Sequence, residues 1–249
     1  MILKHIFLYL LTGNKELIVP LKPIHLYLML FLILSAAGGC RMETKAPEHF
    51  HSHYLKYEIE YLEDMAGDIP TRILPSVFEA HYGEAHVYSR IRGFLNQFTL
   101  VQIADLKKRR VTTMLQFFGN KVYAVSSPGQ LPAGIVSPGK LRYRRTGYKE
   151  EIGGLTSEAL EVHGPDGTFK IWYTREIPVH HPNLSTPYPS VKHPLTRFRV
   201  QLSQLKMQLQ CTSYESREMP SEILEVPEDY KQVSHENMEE IINSLFTKE

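Results

Sequence analysis

The chain has 249 residues, 43% hydrophobic and 22% charged, which excludes a largely disordered protein and favours one domain or two small ones. Its two cysteines exclude a disulfide-dense scaffold, and a formal net charge of +1 excludes a globally basic nucleic-acid binder. The apolar residues are unevenly placed, with a marked excess before residue 40.

That excess is the first element. Ile24 to Ala37 is a run of fourteen residues in which His25 is the only strongly polar member. A membrane span needs about 20 apolar residues, so the run fits the apolar centre of a secretory signal peptide. Lys22 supplies its positive flank. Ser35, Ala36, Ala37, Gly38 and Gly39 then lead into Cys40. This resembles the lipobox of bacterial lipoproteins. There, small residues let the peptidase grip an extended backbone, and the thiol takes a diacylglyceryl thioether. The reading is a leader over 1–39, with translation starting downstream of Met1 near Leu21. Lipidation falls on Cys40, and a lipidated tether covers 40–53. Ordinary signal-peptidase cleavage after Gly39 and an uncleaved anchor are the alternatives. Arg41 follows the cysteine where an inner-membrane retention aspartate would stand, so the resemblance implies an outer-membrane protein facing the periplasm. Removing the leader takes three lysines and one glutamate with it, leaving about −1 on residues 40–249.

The tether carries His49, His51 and His53. Alternate residues of an extended chain point the same way, so three imidazoles could share a metal. A solvated tether is the preferred reading, and neither a metal nor a cofactor is expected.

From Tyr54 onward the dominant period is two. Leu55, Tyr57, Ile59 and Tyr61 alternate with Lys56, Glu58 and Glu60. Strand-like runs follow over 77–82, 85–91, 97–103, 110–118 and 121–126, and Gly119-Asn120 marks a hairpin turn. Residues 127–140 carry three prolines and three glycines and read as a packed surface loop, with a lid as the alternative. Further strands are expected over 141–152, 156–162 and 168–176, the last two joined by Gly164-Pro165-Asp166-Gly167. A second proline-rich loop covers 178–194. Strands then return over 196–202, where Phe198, Val200 and Leu202 share a face, and over 206–214. Cys211 lies among alternating apolar residues and reads as a buried structural thiol. Met238, Ile241, Ile242, Leu245 and Phe246 recur at helical spacing. They predict a helix over 235–247, N-capped by Ser234. The sum is a single domain over 54–249 of about ten strands and one terminal helix.

No phosphate-binding loop, nucleophile elbow or complete zinc-helix motif occurs, so nothing points to catalysis. Basic clusters at Lys107–Arg110 and Lys140–Lys149 could meet anionic headgroups, with a solvated strand face as the plainer reading. Residues 215–249 are acidic, with ten acids against three bases.

Several short motifs recur in a telling order. The lipobox is followed by a first strand rich in tyrosine (Tyr54, Tyr57, Tyr61). Then come Gly147-Tyr148-Lys149-Glu150-Glu151-Ile152-Gly153-Gly154, Asp166-Gly167 before Ile171-Trp172-Tyr173-Thr174, and Val226-Pro227-Glu228-Asp229-Tyr230. Over residues 54–231 the chain resembles Gram-negative envelope lipoproteins of the LolA and LolB lipoprotein-carrier superfamily. The resemblance implies a half-barrel: a large curved antiparallel sheet around an apolar cavity, with the helix on its open side. It also implies non-enzymatic binding of a lipid or a lipoprotein acyl chain. The residues expected to line that cavity are Tyr57, Ile59, Tyr61, Phe198, Val200 and Leu202. The expected partners are the membrane, through the N-terminal lipid, and a lipid or lipoprotein ligand, with no nucleic acid. The alternative is a protein-interaction module without a small ligand, and a hydrolase stands third.

Overall fold

A computed structural model describes residues 48–62, 74–93 and 97–246, all within one compact unit, Pro47–Glu249. The expected leader, the start near Leu21, the lipid-bearing Cys40 and the tether residues before Glu48 lie outside the described residues. The described chain is mainly β with one C-terminal helix. Its strands are β1 (His49–Tyr61), β2 (Val77–Tyr82), β3 (His86–Arg92), β4 (Phe98–Asp105), β5 (Arg110–Phe117), β6 (Asn120–Val125), β7 (Arg142–Ile152), β8 (Leu155–Gly164), β9 (Gly167–Thr174), β10 (Leu195–Leu202), β11 (Leu205–Pro220) and β12 (Lys231–Gln232). The helix is α1 (His235–Phe246).

All twelve strands join one open sheet in the order β12-β6-β5-β4-β3-β2-β1-β11-β10-β9-β8-β7. The chain starts at the centre and meanders outward through β2 to β6. It crosses to the far edge at β7 and meanders back through β8 to β11, which pairs with β1. Every pairing is antiparallel except β12 against β6, which is parallel. The turns carry the residues such turns require. Phe118 and Gly119 both adopt positive φ between β5 and β6, as do Gly153 and Gly154 between β7 and β8.

The first strand corrects the expected tether. Residues 49–53 are not a solvated leash: they belong to β1 and pair with Ser216–Pro220, beyond the expected end of β11 at Tyr214. Apolar alternation stops at Tyr54 and Tyr214. Polar cross-strand contacts replace it: His51 Nδ1 lies 3.1 Å from Glu218 Oε1, and His53 Nδ1 lies 2.9 Å from the Tyr214 hydroxyl.

The sheet buries apolar residues on both faces. The main core gathers Leu55 and Tyr57 of β1, Leu100 of β4, Leu115 of β5, Ile171 of β9, Phe198 of β10 and Leu209 of β11. It is covered by the 126–141 crossing, the 177–194 loop and α1, which buries Met238 and Ile242. Ser234 caps α1 as expected, its hydroxyl accepting from the Asn237 amide at 3.1 Å. The loop over 127–140 is packed: Ile135 bridges to Leu202, and the Val136 amide donates to the Gln201 carbonyl at 2.9 Å. A smaller core on the opposite face joins Tyr88, Val101, Ile103 and Met114 to Ile223, Leu224, Val226 and Tyr230 of the final crossing. An ion pair from Lys121 to Asp229 ties that crossing to β6. Continuous burial along β4 follows, since its alternate residues serve two cores.

Beside the smaller core, His81 is 4% exposed, packed against the Tyr54 and Tyr88 rings. Arg217 lies 3.5 Å over the Tyr54 ring, and Glu79 pairs with Arg90 at 2.7 Å. Burial first, and the Arg217 charge second, hold the His81 imidazole down at about 4. Cys211 is 2% exposed, and burial pushes its thiol up to about 11, as befits a structural cysteine. Its sulfur lies beneath the β7–β8 turn. A Cβ on Gly153 would come within 2.5 Å of Cys211 Sγ, and Gly153 has φ +62°.

Two outcomes follow. Gly153→Ala meets both the sulfur and a left-handed backbone, so it is expected to cost about 2 kcal/mol, or roughly 4–8 °C in Tm by thermal unfolding. His81 binds its proton less readily when folded than when unfolded, where its pKa is about 6.5. Its contribution is therefore complete above that value and is lost as pH falls towards about 4. Urea titrations at stepped pH should show stability falling across this window, and His81→Phe should flatten the slope.

Candidate functional site

Two hollows lie on the main-core side, and one layer of side chains separates them. The outer one is an open groove of about 670 Å³. Its floor is Tyr188, Val200 and Met207, its wall is Phe169, and Leu62 and Val136 stand exposed at its rim. The two proline-rich loops and the β8–β9 turn shape it, because Pro138, Pro187 and Pro165 place rigid apolar rings around the opening. Tyr188 is fixed from below, its hydroxyl donating to the Arg199 carbonyl at 2.7 Å. Burial pushes the Tyr188 phenol well above its ordinary value, so it stays neutral. The polar lining includes Ser137, Asp166, Arg199, Gln201 and Lys206, and no histidine or cysteine among the described residues lines the groove.

The inner hollow is an enclosed void of about 40 Å³ between the sheet and the 3₁₀ turn at Asn183–Ser185. That is room for water molecules and far below the ~300 Å³ at the small end of ligand pockets. A polar row crosses the sheet beneath it, with Ser89, Gln102 and Thr113 in register on β3, β4 and β5. Gln102 Nε2 and Ser185 Oγ are buried without a protein partner, and both residues line the void. Unpaired buried groups of this kind are satisfied by internal water.

The six residues expected at a cavity are thereby placed. Phe198, Val200 and Leu202 line the inner void, and Val200 also forms the groove floor. Tyr57, Ile59 and Tyr61 line neither hollow. Tyr57 is fully buried, its hydroxyl donating to the Leu195 carbonyl at 2.7 Å and lying 3.0 Å from the Tyr82 hydroxyl. Tyr61 is half-buried and donates to the Pro75 carbonyl at 2.7 Å. Periodicity finds the right face of each strand. It does not show which stretch of that face the proline-rich loops cover, so Tyr188, Phe169 and Met207 went unnoticed.

The other sequence candidates are engaged elsewhere. The His51 and His53 rings meet edge-on at 5.2 Å, while His51 Nε2 lies 3.1 Å from Ser216 Oγ. Among the described residues, no group of three or more His, Cys, Asp or Glu side chains is placed to hold a metal ion. The basic strand β7 is countered by its neighbours: Arg144 pairs with Glu161 at 2.8 Å, and Glu150 with Arg197 at 3.0 Å. Lys108 closes its own turn onto Asp105 at 3.3 Å. No helix among the described residues is long and apolar enough to cross a membrane.

No family model and no curated protein matches the chain. Among solved structures it is similar to PNGF-II, solved in two space groups, with a TM-score of 0.49 in each case. Identity is 11% and 10% over 77% of this chain, and the chain spans only 32% and 33% of those two chains.

Proposed function

We propose that this is an exported, lipid-anchored envelope protein that binds an apolar chain without catalysing its conversion. The observation that carries the binding reading is the groove of about 670 Å³, open to solvent, with an apolar floor and rim. Its size falls within the range of small-molecule sites, and such sites are mostly apolar with a few placed polar groups. The LolA-like half-barrel belongs to the same reading. Its support is a single large open sheet that gathers its main core on one face, beneath a terminal helix and two loops. The bound chain lies in the outer groove, because the void under the 3₁₀ turn, at about 40 Å³, is too small for it. The leader over 1–39, the acylated Cys40 and the outer-membrane location remain part of the proposal on the strength of the lipobox residues.

A protein-docking role is the competing reading. Strand β7 is a sheet edge with no strand on its outer side among the described residues. Its exposed arginines, however, are the usual means of blunting such an edge against further pairing.

Native mass spectrometry and lipid extraction of the purified protein should find one bound lipid. Val136→Glu puts a charge on the exposed rim of the groove and should abolish that adduct. Val125→Glu, at an exposed position outside the groove, should keep it. Gln102→Leu fills the inner void with carbon and should keep it too, with neutral or raised stability. A lipid-free protein that instead recovers a stoichiometric protein from membranes would establish the docking reading. Cys40→Ser should move the protein from the membrane to the soluble fraction.

A further inference from the structure

The groove carries a charge signature that its apolar floor does not require. Arg199 projects from β10 at the groove lip and is exposed. Its guanidinium stands 5.1 Å over the Phe169 ring, which forms the groove wall. Its backbone is held by the hydrogen bond from Tyr188 on the floor. Neighbouring arginines spend their charge within the sheet: Arg144 on Glu161, Arg197 on Glu150 and Arg175 on Glu158. Arg199 makes no ion pair with any described residue. Among the described residues, Arg199 is the exposed guanidinium at the groove lip that is left without a carboxylate. Tyr188 stays neutral and does not offset that charge.

We propose, building on the reading of the groove above, that its ligand is a free fatty acid. The acyl tail lies along Phe169, Val200 and Met207, and the carboxylate meets the Arg199 guanidinium at the lip. The planar fork of a guanidinium matches a carboxylate in two parallel hydrogen bonds. The ring beneath Arg199 holds it in place at low cost in side-chain entropy and lowers its exposure to water. The neutral amide- or ester-linked acyl chain of a lipoprotein offers this cation a carbonyl acceptor but no charge and no bidentate partner. The groove therefore distinguishes the free acid from the protein-bound chain by charge and not by tail.

The test compares three single-chain probes of equal length, laurate, 1-dodecanol and dodecyltrimethylammonium, titrated calorimetrically below their micelle concentrations. Laurate should bind roughly tenfold more tightly than dodecanol, and the ammonium more weakly than either. Arg199→Gln should remove the preference for laurate while leaving dodecanol affinity unchanged. Arg199→Lys should keep part of the preference, because the charge remains and the fork is lost. Equal affinities for laurate and dodecanol, or a preference that survives Arg199→Gln, would overturn the proposal and leave the apolar-groove reading standing. Failure of all three probes to bind would overturn both.

Discussion

The pairing of β1 with β11 is the constraint on which the other strands depend. Each half of the sheet is a meander, with most neighbours joined by short turns and β9 joined to β10 through the long 177–194 loop. Neither meander can cover its inner strand alone, and the two become one sheet only when β11 closes on β1. The junction is long and is also where the ladder is interrupted. Register runs from His49 opposite Pro220 to Tyr61 opposite Met207, with a bulge at Lys56 and Tyr57. Lys56 faces Ser213 and Tyr57 faces Cys211, so Thr212 of β11 is the extra residue, and such a bulge strengthens local twist beside the buried Tyr57. Tyr57 then bonds to both sides of the junction, to Tyr82 on β2 and to the Leu195 carbonyl of β10. Because the partners are far apart in sequence, this closure carries the largest loop-entropy cost among the strand pairings.

Once closed, the sheet is wide, and a wide sheet exposes two faces. The chain handles this with two long crossings on opposite sides. The first, over 126–141, crosses the main core on its way to β7 and supplies part of the groove rim. The second, over 221–230, crosses the other face, where Ile223, Leu224, Val226 and Tyr230 seat against β3 to β6. It ends in β12, whose two residues close the β6 edge in parallel before α1 returns to the main core. The opposite edge, β7, has no such cover among the described residues and presents charged side chains. The same crossings that complete the topology therefore set where the molecule is open.

The sequence was informative wherever one face of a strand is apolar and the other wet. Residues 77–82 were read to the residue, and α1 was legible from its spacing and its serine cap. The class, mainly β with a terminal helix, followed from that. What was not legible has physical reasons. His49–His53 and Glu215–Pro220 have no apolar period, because their pairing rests on polar contacts across the strands, and a single strand read alone cannot show a partner. The two-residue β12 is shorter than any period. Of the six residues expected at a cavity, Val200 lies in the groove lining, which also takes Phe169, Tyr188 and Met207. Those residues come from three separate segments, and only the loops bring them to one place. Arg199 is not legible for the opposite reason: what distinguishes it is that it makes no ion pair with any described residue, and ion pairs cannot be counted along a chain.

The wall between groove and void has a wider meaning. Val200 and Met207 belong to both linings, so the two hollows are one space divided by two side chains. The depth of the site is thus decoupled from the architecture. Shortening those two residues would extend the groove towards Gln102 and Ser185, at the stability cost of truncating two buried core side chains. Lengthening them would make it shallower. A scaffold of this design can change the length of chain it accepts through two positions on adjacent strands, while the charge at its lip stays where it is.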